Sequence, residues 1–301
     1  MTQQLRVTRK VDFTGAVKVG FGGLPHLAGG KVLYVNGTSW GNGSNSYDGT
    51  DPNYPLYDID TALAKCTDNK MDYIFVLDYW DNDTFPITLD VDTVKVIGLG
   101  SNCGPSSWCM INSDGDACLS VGGEVGIEVA GFEFLPGSSD PCILVTTTES
   151  CLHVHHCTFA NMGTCQDGIS CPSGGELSIC TIEDNFFGKG IDRDGMRLYS
   201  PSWSTIRNNI FFQYDEIGIN INGPSAAALG CILDNRFFSD TAITKGGAIT
   251  IASATGGLID GNHAMEDGAN PGENPYLDTS GPANGWGLNY SGDAVAYPAT
   301  S

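Results

Sequence analysis

The sequence predicts an all-β solenoid, a parallel β-helix with a short N-terminal capping helix and an N-terminal extension arm. Three observations support this fold class. A six-residue motif recurs at intervals of 24 to 28 residues, and a second series of short apolar segments alternates with it. The 301 residues also include 40 glycines but only 14 lysines and arginines, a balance that favours turns and strands over helices.

The motif is an apolar residue, two variable positions, an Asn and, two positions later, a Phe. It reads VAGFEF, VHHCTF, IEDNFF, IRNNIF, ILDNRF and IDGNHA, starting at Val129, Val154, Ile182, Ile206, Ile232 and Ile259. Spacings that vary by a few residues are typical of solenoids, in which each repeat is one coil with loops of variable length. We expect the first apolar residue and the Phe to point into the coil and stack on their counterparts.

The Asn of the motif is expected to form a structural ladder at the bend between strands. Four successive repeats carry it, as Asn185, Asn209, Asn235 and Asn262. A side-chain amide both donates and accepts hydrogen bonds, so stacked amides satisfy the polar groups of a tight turn without water. Phe132 and Cys157 hold this position in the earlier repeats, so the ladder is predicted to start partway along the coils.

The second series consists of alternating apolar segments too short to be helices: CILV from Cys142, GISC from Gly168, GMRL from Gly195, GINI from Gly218 and AITI from Ala248. With two or three strands per repeat and a turn between them, each strand lies beside its counterpart in the next coil. Because successive coils run in the same direction, the predicted sheets are parallel.

The periodic Ile-x-x-Asn-x-Phe coil resembles the right-handed parallel β-helix proteins of the pectate-lyase-like superfamily, which include many phage tailspikes and virion proteins. The segment from Tyr34 to Cys66, followed by DYIFVLD and VKVIGLG, is similar to the start of such proteins. The resemblance covers roughly residues 31–264. It implies the fold and leaves the function open, because the same coil carries lyases, hydrolases, adhesins and virion parts.

A short helix is predicted in this N-terminal segment, with one apolar face that covers the open end of the solenoid. Ile59, Ala62, Leu63 and Cys66 follow helical spacing, and Asp58 is placed to cap the helix. An uncovered coil end would pair edge to edge with other chains. We therefore divide the chain into a basic arm (1–30), a cap with the first coils (31–93), the β-helix (94–264) and a C-terminal cap or tail (265–301).

The C-terminal tail is rich in Gly, Pro and Asn and carries Tyr276, Trp286, Tyr290 and Tyr297. These aromatic residues are suited to closing the top of the solenoid, to packing in an oligomer or to stacking on sugars. Capping is the interpretation that we favour.

Charge is distributed unevenly along the chain. Residues 1–31 contain five basic residues and one Asp, a sum of +4, so the remainder must carry −25 to give the total of −21. Such an acidic body disfavours nucleic-acid binding. The arm residues Arg6, Arg9, Lys10 and Lys18 are either a docking segment for an acidic partner or a solvated tail.

The cellular setting is predicted from the cysteines and the N-terminus. The eleven cysteines are an odd number, so at least one is free, and we expect them to serve mainly as small buried residues. The sequence MTQQLRVTRKV lacks the apolar core of a signal peptide, and no segment has the length and apolarity of a membrane span. We therefore expect synthesis in a reducing cytoplasm.

Catalytic candidates follow from the resemblance, because enzymes of this fold use surface Asp clusters with Arg or Lys, sometimes with calcium. The segment IDRDGMRLY supplies Asp192, Arg193, Asp194 and Arg197, and Asp140, Asp167 and Asp194 lie 27 residues apart. Paired carboxylates there would act as general acid and base, or hold Ca²⁺ while Arg removes a proton from a uronate. The competing interpretation is ordinary Asp-Gly turn chemistry, repeated because the coil repeats.

A metal site is a further hypothesis. In CLHVHHC, strand alternation would place Cys151, His153 and His155 on one face, with His156 at the bend. Such ligands suit zinc or nickel, particularly at a threefold axis of an oligomer. The alternative is a polar strand face that lies at a subunit contact or in solvent.

These features lead us to expect a virion-associated structural protein: a phage decoration, fibre or small spike protein. It would assemble as a homotrimer, be made in the host cytoplasm and dock on capsid or tail proteins through residues 1–30. The alternatives are a polysaccharide lyase, hydrolase or tailspike depolymerase, and a glycan-binding surface adhesin. The set of Asn-Thr-Asp, Asp-Asp, Gly-His-Gly and Arg-Ile-Lys motifs that polygalacturonase-like enzymes carry is not found in the sequence.

Overall fold

The chain winds into coils that are stacked along one axis. The computed structural model describes residues 30–37, 41–78, 84–99, 109–137, 139–160, 164–223, 228–239, 247–266, 275–280, 284–291, 294–296 and 298. Within these ranges successive coils add strands to three long sheets. The predicted all-β parallel solenoid is confirmed, and its topology is consistent with a right-handed parallel β-helix. The predicted docking residues Arg6, Arg9, Lys10 and Lys18 lie outside the described residues.

Sheet 1 contains the first residues of each motif. Its ten strands among the described residues are, in stacking order, Val32–Asn36, Tyr73–Asp78, Lys95–Gly98, Glu128–Ala130, His153–His155, Thr181–Glu183, Thr205–Arg207, Cys231–Leu233, Leu258–Asp260 and Gly285–Trp286. Neighbouring strands are paired in parallel, and Ile182 pairs with Val154 on one side and with Ile206 on the other.

Sheet 2 holds the second series of apolar segments, which are confirmed as strands. Its described strands are Ile87–Leu89, Leu119–Val121, Ile143–Val145, Ile169–Cys171, Met196–Leu198, Ile219–Ile221, Ile249–Ile251 and Tyr276–Asp278. A short sheet 4 at the corner between sheets 2 and 1 consists of Thr148–Ser150, Glu176–Ser178 and Pro201–Ser202.

Sheet 3 holds the last residues of each motif. Its described strands are Met110–Asn112, Glu133–Leu135, Thr158–Phe159, Phe186–Phe187, Ile210–Phe212, Arg236–Ser239, His263–Glu266, Asn289–Ser291 and Ala294–Ala296. The final two strands pair antiparallel, in contrast to the parallel pairs before them.

A column of stacked phenylalanines fills the inside of sheet 3. The ring centroids of Phe159 and Phe187 are 4.5 Å apart, those of Phe187 and Phe211 are 4.6 Å apart, and those of Phe211 and Phe237 are 4.8 Å apart. A Cβ atom on Gly195 would lie 2.5 Å from Cδ1 of Phe211. The glycine that precedes this sheet 2 strand therefore makes room for the ring opposite it.

An asparagine ladder runs beside the phenylalanines and is buried. Each side-chain Nδ2 donates to Oδ1 of the asparagine in the next coil, at 2.9 to 3.0 Å, through the series Asn185, Asn209, Asn235, Asn262 and Asn289. The backbone N–H groups donate to the same oxygens. The ladder starts at Asn185, whose Oδ1 accepts from the Cys157 N–H at 2.9 Å. Asn289 extends it beyond the four residues predicted.

The residue before each of the first four ladder positions adopts a left-handed backbone. Its φ is 55° at Asp184 and at Asn208, 54° at Asp234 and 69° at Gly261. Gly, Asn and Asp are the residues that enter this region at least cost. The third position of the motif, which the sequence alone suggests is variable, is therefore restricted to residues that tolerate a left-handed backbone.

The predicted capping helix is present and shorter than its apolar spacing indicates. It spans Ile59–Leu63, and Asp58 accepts a hydrogen bond from the Thr61 N–H at 2.6 Å. Its buried side chains cover the strands at the start of sheets 1 and 2. Cys66 lies beyond the helix end, where its Sγ donates to the Ala62 oxygen at 3.3 Å.

The coils continue past residue 264, which the sequence analysis takes as the end of the β-helix. Sheets 1, 2 and 3 each receive a further parallel strand from Gly285–Trp286, Tyr276–Asp278 and Asn289–Ser291. Tyr276 is fully buried, and its hydroxyl donates to the oxygens of Asn262 and Tyr290. These residues form one more coil, which is stacked on the coil that contains Asn262.

The cysteines described by the structure are free thiols, and seven of these ten are buried. Burial raises the pKa of Cys118 to about 12, so this thiol stays protonated.

The one helix within the described ranges has five residues, too few to cross a bilayer.

Candidate functional site

The predicted catalytic segment lies at the turn into sheet 2, and its central contact is an ion pair between a buried Asp and a half-buried Arg. Asp167 is fully buried. Arg193 donates from Nε to Asp167 Oδ1 at 2.7 Å, and its Nη2 pairs with Oδ2. The Asp194 N–H also donates to Asp167 Oδ1, at 3.3 Å. Asp167 therefore joins two consecutive coils.

Asp194 is 1% exposed and only partly satisfied. Its Oδ2 accepts from Asn220 Nδ2 at 2.8 Å, and its Oδ1 is buried with no hydrogen-bond partner. Burial raises the pKa of Asp194 to about 6, and the Asp167 charge adds to the rise, against the Asn220 hydrogen bond and the Arg193 and Arg197 charges. Below that pH the carboxyl is mostly neutral.

The other two candidates of this segment do not join that buried pair. Asp192 is exposed, and partial burial together with the Asp215 charge raises its pKa. Arg197 is half-buried on the outer face of sheet 2, where it pairs in register with Ser170 and Asn220. The structure thus buries Asp167 and Asp194, pairs Arg193 with Asp167, and leaves Asp192 and Arg197 at the surface.

A second cluster lies on the outer face of sheet 1. His153 stands beside Glu128 in the strand register, and His155 stands beside Glu183 in the following coil. The His153 and His155 rings are 4.2 Å apart between centroids. His155 Nε2 lies 3.2 Å from Glu128 Oε1, and His153 Nε2 lies 2.9 Å from Glu183 Oε1. His156 adds a third ring, with its Nδ1 2.8 Å from Nδ1 of His155.

Two basic residues complete this outer-face cluster. Lys95 pairs with the other oxygen of Glu128, and Arg207 donates from Nε to Glu183 Oε2 at 2.5 Å. The cluster therefore spans several consecutive coils, from the Lys95 strand to the Arg207 strand.

The electrostatics favour ionised carboxylates and a neutral His153. The His155 hydrogen bond, followed by Lys95, lowers the pKa of Glu128 to about 2 against the effect of burial. Burial would raise the pKa of Glu183, but Arg207 and His153 outweigh it and the net shift is downward. Burial and the neighbouring His155 lower the pKa of His153, although both glutamates oppose that shift. Neutral imidazole and ionised carboxylate are the forms that bind metal ions.

Glu128, His153 and His155 can each place one ligand atom within 4.8 Å of the others. The sequence analysis instead grouped Cys151 with the two histidines. Cys151 precedes the His153–His155 strand in a left-handed turn with φ of 59°, so strand alternation does not extend to it. The signal that would have found Glu128 and Glu183 is their position one coil before and one coil after His155.

The comparisons with known proteins found a similarity to a solved structure and no matching family. No protein-family model and no curated protein matches this chain. Among solved structures it is similar to a rhamnogalacturonan lyase, with a TM-score of 0.42 and 12% sequence identity over 90% of this chain and 84% of that chain. The β-helix assignment rests on the strand pairing itself.

Proposed function

We propose that this protein is a structural component of a virion, such as a phage decoration, fibre or small spike protein, attached through its basic arm. The observation that carries the proposal is that the carboxylates predicted for catalysis serve the coil itself. Asp167 is fully buried against Arg193, and Asp194 is 1% exposed. A general acid or base must come within hydrogen-bond distance of its substrate, and the side chains packed around Asp167 and Asp194 would have to move to allow this.

The charge distribution supports attachment through the arm. Residues 1–31 carry +4, against −25 for the rest of the chain. A basic segment on an acidic body is steered towards an acidic partner surface, and the body is repelled from it. In this proposal the chain is made in the host cytoplasm, forms a homotrimer and contacts capsid or tail proteins through residues 1–30.

The test is incorporation of the full-length chain into particles. A variant with Arg6, Arg9, Lys10 and Lys18 changed to Glu should fail to co-sediment with particles from the native source, whereas the wild type sediments with them. A control with Lys65, Lys70 and Lys189 changed to Glu carries a similar charge change on half-buried and exposed positions of the body and should still be incorporated. A wild-type chain found only in the slowly sedimenting fraction, or an arm variant incorporated normally, contradicts the proposal.

A second candidate function is polysaccharide cleavage, and one observation favours it. Asp194 has an unpartnered oxygen and a pKa raised to about 6, with the charges of Arg193 and Arg197 acting on it. A carboxyl kept neutral near physiological pH is a property of general acids. Release of unsaturated or reducing sugar ends by the wild type, abolished by Asp194→Asn or Arg197→Ala, would favour this function. Glycan capture without release would favour an adhesin.

A further inference from the structure

We propose that the outer face of sheet 1 binds one divalent transition-metal ion, with Zn²⁺ as the reference ion, through Glu128, His153 and His155 of a single chain. This site is independent of the proposed function, which needs no metal. It also differs from the sequence-based hypothesis, because Cys151 takes no part and no threefold axis is required.

The strand geometry brings the three ligands together. His153 and His155 are two residues apart on one strand and therefore share a face, and Glu128 neighbours His153 on the adjacent strand. His155 Nε2 and Glu128 Oε1 are 3.2 Å apart. Two ligand atoms bound to tetrahedral zinc at 2.0 to 2.1 Å lie about 3.3 Å from each other. This pair is therefore already at ligand spacing.

The third ligand needs a small movement. One ring nitrogen of each histidine and one carboxylate oxygen of Glu128 lie within 4.8 Å of one another. Rotation of the His153 side chain would bring its Nδ1 to the ligand spacing of about 3.3 Å. The strands that carry the ligands are held in a continuous sheet, so the backbone is already in place.

The two oxygens of Glu128 have different partners. Oε2 pairs with Lys95, whereas Oε1 faces His155. A metal ion bound at Oε1 therefore leaves the Lys95 pair intact. Metal-ligating carboxylates in proteins are themselves hydrogen-bonded in this way, which fixes their orientation.

Glu183 is a positioning residue for His153. An ionised carboxylate only accepts hydrogen bonds, so His153 Nε2 carries the proton at this 2.9 Å contact and its Nδ1 lone pair is left for the metal. Arg207 fixes Glu183 from the other side, at 2.5 Å. A carboxylate that accepts from the second nitrogen of a ligating histidine is a recurrent feature of protein metal sites.

Protons balance on metal binding. In the free protein His155 Nε2 donates to Glu128, so its Nδ1 accepts from Nδ1 of His156 at 2.8 Å. When Nε2 binds the ion, its proton leaves to solvent. His156 then passes its Nδ1 proton to His155 Nδ1 and takes up one proton from solvent at its own Nε2, so both rings stay neutral and there is no net proton release. Three protein ligands leave a fourth position for water or another oxygen ligand.

The test is Zn²⁺ affinity of the full-length protein after chelator treatment, measured by competition with a chromogenic chelator. The wild type should bind one equivalent, and Glu128→Gln and His155→Ala should each abolish that binding. Glu183→Gln should weaken it about 10- to 100-fold, the usual effect of removing a partner of a metal ligand. His263→Ala and Cys151→Ser are controls outside the ligand set and should bind as the wild type does.

Two further measurements keep the outcome clear. The metal-free variants should have the same circular dichroism spectrum and thermal unfolding as the metal-free wild type. If Glu128→Gln does not fold, the test is decided by His155→Ala. A Co²⁺-loaded wild type should lack a thiolate charge-transfer band, because no sulfur is a ligand. Loss of binding in Cys151→Ser, normal binding in both Glu128→Gln and His155→Ala, or a wild type that binds no Zn²⁺ would overturn the proposal.

Discussion

The inner and outer faces of sheet 1 are formed by alternate residues of the same strands. From coil to coil, the inner face keeps its residue type, whereas the outer face changes it. Inside, the position held by Val129 is held by Val154 and then Ile182 in the following coils, and all three are fully buried. Outside, the position held by Glu128 becomes His153 and then Thr181. An inner residue packs on its own counterpart, so one solution recurs. An outer residue has no such packing constraint, so residues suited to binding can occupy the outer positions.

The asparagine ladder is the strongest test of that difference. Asn209→Ala removes the acceptor of the Asn185 N–H and Nδ2 and the donor to the Ile182 oxygen, all in the buried interior. With about 1–3 kcal/mol for each unsatisfied group, we expect the free energy of unfolding to fall by roughly 3–6 kcal/mol. Urea titration followed by circular dichroism measures this loss.

Asn208→Ala is the matched control for the ladder, one residue away and exposed. It removes only the tolerance of Asn for a left-handed backbone, where φ is 55°. Its cost should be roughly 1–2 kcal/mol. Equal losses for the two variants would show that the buried amides contribute nothing beyond local conformation.

The phenylalanine column gives the next largest effect. Phe211 is fully buried between Phe187 and Phe237, so Phe211→Ala should lower the free energy of unfolding by about 3–5 kcal/mol. Phe212→Ala changes the adjacent, outward ring, which is 38% exposed, and should cost about 1 kcal/mol or less. If the two variants unfold at the same urea concentration, the inner column is not what holds the coils together.

Much of the fold was predictable because the inner contacts repeat. The missed final coil shows the limit of that method. Its motif reads WGLNYS, in which Trp286 replaces the usual Ile and no Phe follows, although Asn289 stands 27 residues after Asn262 as the period requires. Trp286 packs against the end of the core, where no further coil has to match it. The asparagine, whose hydrogen bond must match that of Asn262, is the more faithful marker of a coil.

The outer site was only half predictable for a related reason. Alternation within one strand correctly places His153 and His155 on one face. The partners Glu128 and Glu183 are set by the register between strands in different coils, and loops of variable length hide that register in the sequence. The alternation does not extend to Cys151, because this residue has a left-handed backbone just before the strand.

Asp194 is a buried charged group at the turn into sheet 2, and its pH dependence extends the comparison from apolar to ionisable buried residues. Its pKa of about 6 in the folded protein exceeds the ordinary Asp value, so the folded state holds the proton more tightly than the unfolded chain. Stability is therefore greatest below about pH 4 with respect to this group and falls as pH rises through 6. At pH 7, Asp194→Asn should be more stable than the wild type by roughly 2–3 kcal/mol, with little difference at pH 4.

Urea titrations of Asp194→Asn at pH 4, 5, 6 and 7 measure this trend. Asp192→Asn is the control, because Asp192 is exposed and two residues away; its pKa is also raised, so we expect the same trend with a smaller amplitude. A stability difference between Asp194→Asn and the wild type that stays constant with pH would mean that Asp194 is already charged, or already neutral, throughout this range.

The smallest predicted effect is a gain in stability at an outer corner. Ile179 is 61% exposed and has a left-handed backbone with φ of 57°, which a β-branched residue adopts at a cost. Ile179→Asn should keep the backbone hydrogen bond from residue 179 to the Ser202 oxygen and raise the free energy of unfolding by roughly 1 kcal/mol. Ile182→Asn makes the same change three residues later at a fully buried position and should be strongly destabilising. Thermal unfolding should show a gain in stability for Ile179→Asn and a loss for Ile182→Asn, which would distinguish the exposed corner from the buried face. A loss of stability at both positions would mean that the Ile179 side chain has a packing role of its own.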